Sequence, residues 1–375
     1  MKKRLKLIHI LRQGGMGGAE RLVQDYFRFH DTSRFEISLG VIFSGGVVSD
    51  KIASMGFPVT VFHMKNGFDV KNALPLYHHI KKNGIDIVHL HTIAPLAKLL
   101  CLSANPGVII ATDHGTTMGS PVKRKKHVIY ANRLLNPFVD HFPAISMGMK
   151  KSLLIREKVP QRSITLMYNG VDIETISKQN PGRAEEIRNE YAIPLNSPII
   201  GTIGRLSREK QIPLLLKAFQ RLKQKGISFT GIIIGDGPDM GILKDMQKKY
   251  GLENDVIFTG LKTPVYPYLD LLDIFAFPSG GEAFSITILE AMAKKKPVLA
   301  FDVEGVNEAV VHGKTGFLVP FGDIAAFSDT MEKMIRNPSQ LITMGENAFS
   351  EVSLKYDIKN TVGMLENLYE KFITP

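Results

Sequence analysis

The chain has 375 residues, with 47 Lys and Arg against 36 Asp and Glu for a net charge of +11. That length exceeds one ordinary domain and suits two, each able to bury its own core. A single cysteine, Cys101, excludes an internal disulfide, and no apolar run approaches the ~18 residues of a membrane-crossing helix, so a soluble cytoplasmic protein is expected.

In chain order, the basic opening leads into Leu7–Leu11, a run interrupted by His9 and too short for a signal peptide; it reads as a strand over 5–11. Apolar runs then predict strands at 37–43, 59–63, 86–90, 108–112, 141–145 and 164–168. Three- and four-residue spacings predict helices at 18–29, 49–55, 71–83, 94–103, 123–136 and 147–157. Cys101 falls in an apolar helical stretch and reads as a buried structural thiol. Between Asp172 and Pro198 the periodicity weakens, and Asn180-Pro181-Gly182 and Pro194 punctuate the chain. The alternation resumes with strands near 199–204, 229–234, 256–259, 273–277, 297–301 and 317–319. Helices are expected near 210–225, 240–250, 264–270, 285–295, 305–312, 323–336, 338–353 and 357–372. Strand-helix alternation throughout implies an α/β protein with parallel sheets covered on both faces.

The segment Pro278 to Ala300, PSGGEAFSITILEAMAKKKPVLA, carries the most chemistry. A strand ends at Pro278, a small-residue turn brings Glu282, and a helix N-terminus follows. A carboxylate beside free backbone N–H groups suits a ligand bearing both hydroxyls and phosphate. Glu290 follows eight positions later. Eight helical residues rise by ~12 Å, while retaining hydrolases hold their two carboxyls roughly 5 Å apart, so the two glutamates would touch different parts of one extended ligand. The plainer alternative makes Glu282 a helix cap and Glu290 a solvated helix residue.

The glycine loop Gly14–Gly18 fails as a nicotinamide fingerprint, because no third glycine falls in register and the second strand ends without an acidic residue. No serine-hydrolase elbow is present. A zinc site is not expected either, since the pair His89 and His91 lacks companion ligands in the sequence; cleft-lining or structural roles are expected for both.

These features together resemble the family-4 retaining glycosyltransferases. The likeness covers Gly14–Arg21 (GGMGGAER), His89-Leu90-His91, Asp113-His114-Gly115, Asn169-Gly170-Val171-Asp172, Gly204-Arg205-Leu206 with Lys210, Gly235-Asp236-Gly237-Pro238, and Glu282 with Glu290. It departs at Gln211, at Ala283-Phe284-Ser285, and at Lys294-Lys295-Lys296, where glycines are usual; the Lys295 change is expected to affect only a surface turn. The resemblance implies the GT-B fold, two Rossmann-like parallel-sheet domains facing across a cleft. An acceptor-binding domain would cover 1–172, a nucleotide-sugar-binding domain 173–356, and a helix at 357–375 would return to the first.

The implied reaction is transfer of a sugar, with retention, from a nucleotide-diphosphate sugar, UDP-linked on frequency alone, to an acceptor hydroxyl on a lipid-linked or cell-envelope glycan. In that reading Arg205 and Lys210 hold the departing phosphates, Glu282 grips the sugar hydroxyls, His114 lies over the sugar, and Glu290 meets the ribose. Gly17, Gly18, Gly204, Gly235, Ala283, Phe284, Ser285 and Ile286 line the donor. The fixed positive charge replaces a metal, and no cofactor is needed. Two alternatives stand beside it, a nucleotide-sugar epimerase of the same fold and a non-catalytic membrane-associated partner of a glycosyltransferase.

Charge is unevenly placed. Residues 1–172 hold 24 Lys and Arg against 11 Asp and Glu, and the rest of the chain 23 against 25. The densest stretch, Lys123-Arg124-Lys125-Lys126, leads into an apolar helical pattern, which suits peripheral docking on an anionic membrane. Nucleic acid is not expected, because no aromatic residues interleave the basic patch.

Overall fold

The structure, a computed structural model, describes residues 3–115, 117–118, 123–178 and 181–373. Asn180, part of the expected linker punctuation, lies outside them, as do the chain ends. Two compact units divide the chain at Gly170/Val171 and again at Asp357/Ile358.

The first unit is built on a parallel sheet of β1 (Leu5–Leu11), β2 (Phe35–Val41), β3 (Val59–Val61), β4 (Ile87–Leu90) and β5 (Val108–Ala111), in the order β3-β2-β1-β4-β5. A small parallel pair, β6 (Phe142–Ala144) and β7 (Ile164–Leu166), adjoins β5 through a bridge between Ile110 and His141. The helices are α1 (Gly18–Phe29), α2 (Val47–Ser54), α3 (Val70–Asn83), α4 (Pro95–Ala104), α5 (Lys126–Leu135) and α6 (Met147–Ile155). Local chemistry sets their ends: Asp69 accepts from the Asn72 N–H at the start of α3, and Gly84 closes it in the left-handed region at φ 58°.

Both faces of this sheet are covered, which strand β1 shows directly, since Leu7, Ile8, His9 and Ile10 are all fully buried. Ile8 and Ile10 join a core with Ala73, Leu76 and Ile80 of α3 and Leu100 and Cys101 of α4. Each such aliphatic side chain contributes roughly 1.5–3 kcal/mol by leaving water. His9 points to the opposite face. Burial raises the Cys101 thiol pKa well above its ordinary value, which fits a structural cysteine.

The second unit opens with α7 (Ile173–Ser177) and α8 (Pro181–Glu190), two helices in the stretch where the apolar periodicity weakens. Asp172 belongs to this unit and caps α7, accepting from the Thr175 N–H. The sheet contains β8 (Ile199–Ile203), β9 (Thr230–Ile234), β10 (Val256–Gly260), β11 (Ile274–Phe277), β12 (Val298–Asp302) and β13 (Gly316–Pro320), all parallel in the order β10-β9-β8-β11-β12-β13. Around it lie α9 (Ile212–Gln224), α10 (Met240–Lys249), α11 (Tyr266–Leu271), α12 (Ile286–Ala293), α13 (Ile324–Ile335) and α14 (Pro338–Lys355). The final helix, α15 (Ile358–Ile373), belongs to the first unit and packs against α1.

One expected helix is absent. Residues 304–309 form a turn rather than the helix expected over 305–312. Val306, Ala309 and Val310 give the apolar spacing of a helix because the turn is itself buried. Gly305 breaks the helix with φ +78°.

Candidate active site

In open parallel sheets ligands collect beyond the strand C-termini where the strand order reverses. In the second unit that point lies between β8 and β11, and Lys210 and Glu282, both singled out in the sequence, meet there. After β8 the chain passes Gly204 and the exposed Arg205, then a single 3-10 turn, Arg208–Lys210, and enters α9 at Gln211. Gln211 adopts φ +52°, the left-handed conformation that explains why glycine is usual here; its side-chain amide donates to the Arg208 carbonyl at 2.7 Å. After β11 come Pro278, Ser279 and Glu282.

Lys210 Nζ lies 2.6 Å from Glu282 Oε1, which also accepts from Ser279 Oγ at 2.7 Å. Ser279 Oγ reaches the Glu209 carbonyl as well, at 3.2 Å, and the Gly280 N–H donates to the same oxygen. Two strand-end loops are thereby stitched together around one ion pair. Thr202, Gly204, Lys210, Phe277 and Ser279 line a small cavity at this point. The Lys210 ammonium also stands over the Phe277 ring at 5.4 Å.

Glu282 is not a helix cap. The N-cap of α12 is Ser285, whose side chain makes no cap hydrogen bond to the helix, so α12 presents its first-turn N–H groups near Ile286. The turn at Gly305 supports Glu282 from behind: a Cβ on Gly305 would stand 2.3 Å from the Glu282 carbonyl oxygen. Ser279 and Gly305 are the two site residues that sequence reading missed. The small-residue turn hinted at the first, but nothing local marks the second.

The remaining expected donor residues divide. Glu290 is 1 % exposed and so is not a solvated helix residue. The Phe284 side chain is buried with its ring 5.4 Å from that of Tyr356, so what this residue can offer a donor is its backbone. Gly235 has φ +138°, and a Cβ there would lie 1.9 Å from the Gly204 carbonyl oxygen, so this glycine allows the Arg205 loop to sit down on the end of β9. The Lys294–Lys296 stretch is more than a surface turn. Lys295 is exposed at φ +56°, but Lys294 is buried, pairs with Asp270 at 2.9 Å and donates to the Lys178 carbonyl at 2.7 Å.

In the first unit Gly17 and Gly18 stand at the N-terminus of α1, with the Glu20 carboxylate against Gly17. His114 follows β5 and is half-buried. Its Nε2 lies 3.0 Å from His91 Nδ1, and burial lowers its pKa to about 4 although the neighbouring Asp113 works the other way. The expectation that His89 and His91 lack companions is corrected: His9, paired in register with His89 across β1 and β4, brings a third imidazole within 4.8 Å. Every ring nitrogen of His9, His89 and His91 already has a hydrogen-bonding neighbour among His9, His30, His91, His114, Tyr369 and Thr112. That donor set reads as a hydrogen-bonded network. Burial depresses the pKa values of all three, which favours their neutral forms.

The basic cluster is also revised. Helix α5 begins at Lys126, and the Arg124 side chain is buried, 2.6 Å from both Asp113 and Glu157. Lys123, Lys125 and Lys126 remain exposed, and so, further along the chain, do Tyr130, Leu134 and Phe138, at 60 %, 74 % and 69 %.

Residues 16–175 match the model of Glycosyltransferase Family 4, and residues 183–351 match that of Glycosyl transferases group 1. The chain belongs to glycosyltransferase family 4. Its relatives include the N-acetyl-alpha-D-glucosaminyl L-malate synthase of Bacillus anthracis, 24 % identical over 80 % of this chain and 79 % of the relative. Another is the UDP-Gal:alpha-D-GlcNAc-diphosphoundecaprenol alpha-1,3-galactosyltransferase of Escherichia coli, 24 % identical over 98 % of this chain and 97 % of that enzyme. Among solved structures, Anabaena HepE in complex with UDP-glucose superposes with a TM-score of 0.87 at 22 % identity, covering 98 % of this chain and 100 % of the other. This glycosyltransferase therefore has the GT-B fold. Among its described residues no helix is long and apolar enough to cross a membrane.

Proposed function

We propose that this glycosyltransferase moves a sugar from a UDP-linked donor to an acceptor hydroxyl during cell-envelope glycan synthesis, retaining anomeric configuration and using no metal ion. The observation that carries the reading is the Lys210–Glu282 pair at the β8/β11 switch point, with Arg205 exposed on the same loop after β8 and the N-terminus of α12 close in sequence. HepE is described with UDP and with UDP-glucose, and the Escherichia coli relative carries a UDP-galactose donor and a diphosphoundecaprenol acceptor in its name. These support the nucleotide and the envelope context.

The chemistry must stabilise a departing diphosphate and an oxocarbenium-like sugar. Arg205 and Lys210 supply fixed positive charge, and the α12 N–H groups add to it. Glu282, held by Lys210 and Ser279, is left to accept from sugar hydroxyls. With retention, the leaving phosphate itself takes the acceptor proton on the face it departs from, so no covalent nucleophile is required. The exposed side chains of Tyr130, Leu134 and Phe138, shortly after three exposed lysines in the chain, support docking at an anionic membrane where a lipid-linked acceptor would be presented.

A thermal-shift panel of UDP, GDP and ADP sugars, followed by product analysis in excess EDTA, tests the reading. A saturating UDP sugar at 100 times its Kd should add about 2.7 kcal/mol. Stabilisation by another nucleotide alone, or turnover abolished by EDTA and restored by magnesium, would overturn the corresponding part.

A further inference from the structure

Four short contacts join five side chains of the first unit in a line. Glu366 Oε1 lies 2.9 Å from His30 Nδ1, His30 Nε2 3.2 Å from His9 Nε2, His9 Nδ1 2.9 Å from His91 Nε2, and His91 Nδ1 3.0 Å from His114 Nε2. Each internal histidine enters the line through one ring nitrogen and leaves through the other. A neutral imidazole has one donor nitrogen and one acceptor nitrogen, so fixing the direction of one link fixes them all.

The fixed end is Glu366 on α15. Its Oε1 also receives the Asp31 N–H at 2.7 Å, and Arg34 Nη1 reaches Oε2 at 3.1 Å. Burial works against its ionisation, but His30, the Asp31 N–H and Arg34 outweigh it and hold the carboxyl below its ordinary pKa. An ionised carboxylate only accepts, so His30 donates from Nδ1 and accepts at Nε2. His9 then donates from Nε2, His91 from Nε2 and His114 from Nε2. The line ends with His114 Nδ1 as an acceptor. The opposite direction requires one more proton in the line, making His30 an imidazolium. His89 lies alongside without joining, its nitrogens engaged by Tyr369 and Thr112 and its ring 3.9 Å from that of His91.

We propose that Glu366, His30, His9 and His91 are positioning residues that hold His114 in its Nε2–H tautomer, so that Nδ1 accepts a hydrogen bond from a hydroxyl of the bound sugar. The inference deepens the proposed function and rests on it for the donor sugar, whose contact with His114 is what the family resemblance implies. The tautomer itself is a property of the free protein. It explains why a carboxylate on the last helix lies in one hydrogen-bonded line with a histidine on the loop after β5, 252 positions earlier in the chain.

The test is 15N-edited NMR of the full-length protein with labelled histidine at neutral pH. The wild type should show His114 with a pyridine-type Nδ1 and a pyrrole-type Nε2, and in His91→Phe this single-tautomer signature should give way to an averaged one. The same variant should lose kcat/KM by roughly tenfold, the effect of one neutral hydrogen bond. A wild-type His114 carrying its proton on Nδ1, or an unchanged tautomer in folded His91→Phe, overturns the proposal. The wild-type spectrum decides the direction even where the variant fails to fold. Unchanged turnover in His114→Ala would instead overturn the sugar contact, a result separable from a wrong tautomer.

Discussion

Lys210 Nζ and Glu282 Oε1 stand 2.6 Å apart, so the cation expected to hold a departing phosphate and the carboxylate expected to hold the sugar form one unit. Their side chains are 24 % and 16 % exposed. At that degree of burial a lone charge is costly, and the pair fixes the position of each member before any donor arrives. A donor joining the pair would bring its own negative charge to Lys210 and its hydroxyls to Glu282. Neither residue then needs to reorganise, which is the condition under which electrostatic stabilisation is strongest.

Arg205→Ala and Lys210→Ala should each cut kcat by about 10²–10³, as removing one transition-state donor does elsewhere. Arg205 is exposed, so its variant should keep the wild-type melting temperature. Steady-state kinetics beside a melting curve separates the two effects. Near-normal kcat in both variants would remove the clamp.

Arg124→Ala should destabilise the protein rather than weaken membrane binding. The guanidinium is 4 % exposed and contacts Asp113 and Glu157 at 2.6 Å each. Breaking a buried pair costs about 3–5 kcal/mol, and Arg156, 2.9 Å from Glu157, should hold the loss near the lower end. Denaturant unfolding with an unchanged midpoint would contradict the burial described.

Stability should fall as the solution is acidified from neutral pH. His9, His89 and His91 have pKa values well below the ordinary histidine value and His114 has one near 4, so the folded chain stays unprotonated where the unfolded chain, at ~6.5, takes up protons. The contribution is therefore complete above about pH 6.5 and is lost below it, by up to ~1.4 kcal/mol per pH unit for each histidine. Urea midpoints between about pH 7.5 and about pH 5 check the slope; a flat profile would mean these rings are protonated in the folded state.

Co-sedimentation with anionic liposomes should pellet the wild type at low salt and release it at high salt. Lys123, Lys125 and Lys126 all changed to Ser should stay in the supernatant, because each lysine contributes ~1 kcal/mol near such a surface. Salt-insensitive or absent binding by the wild type would exclude the membrane-facing role of α5.

Most strands were legible because apolar runs bounded by Gly and Pro leave few alternatives in a parallel sheet. The site in the second unit was legible for a related reason: Glu282, Arg205 and Lys210 each follow such a run. What escaped is what depends on contacts between distant segments. The turn at 304–309 has the apolar spacing of a helix, and only the approach of Gly305 to the Glu282 carbonyl reveals it. Arg124 sits in a run of four basic residues, and its burial follows from Asp113 and Glu157, neither beside it in sequence. The histidine line joins β1, β4, the end of α1 and α15, and it becomes visible only once β1 and β4 are known to be neighbours.

The most direct measurement is turnover of a UDP-sugar panel by the wild type, Lys210→Ala and Glu282→Gln, with lipid-linked envelope acceptors and excess EDTA present. The account predicts that the wild type releases UDP in step with a glycosylated product of retained configuration, and that both variants lose at least about 10² in kcat. Equal turnover in all three proteins, or UDP release by the wild type without any transfer product, would contradict it.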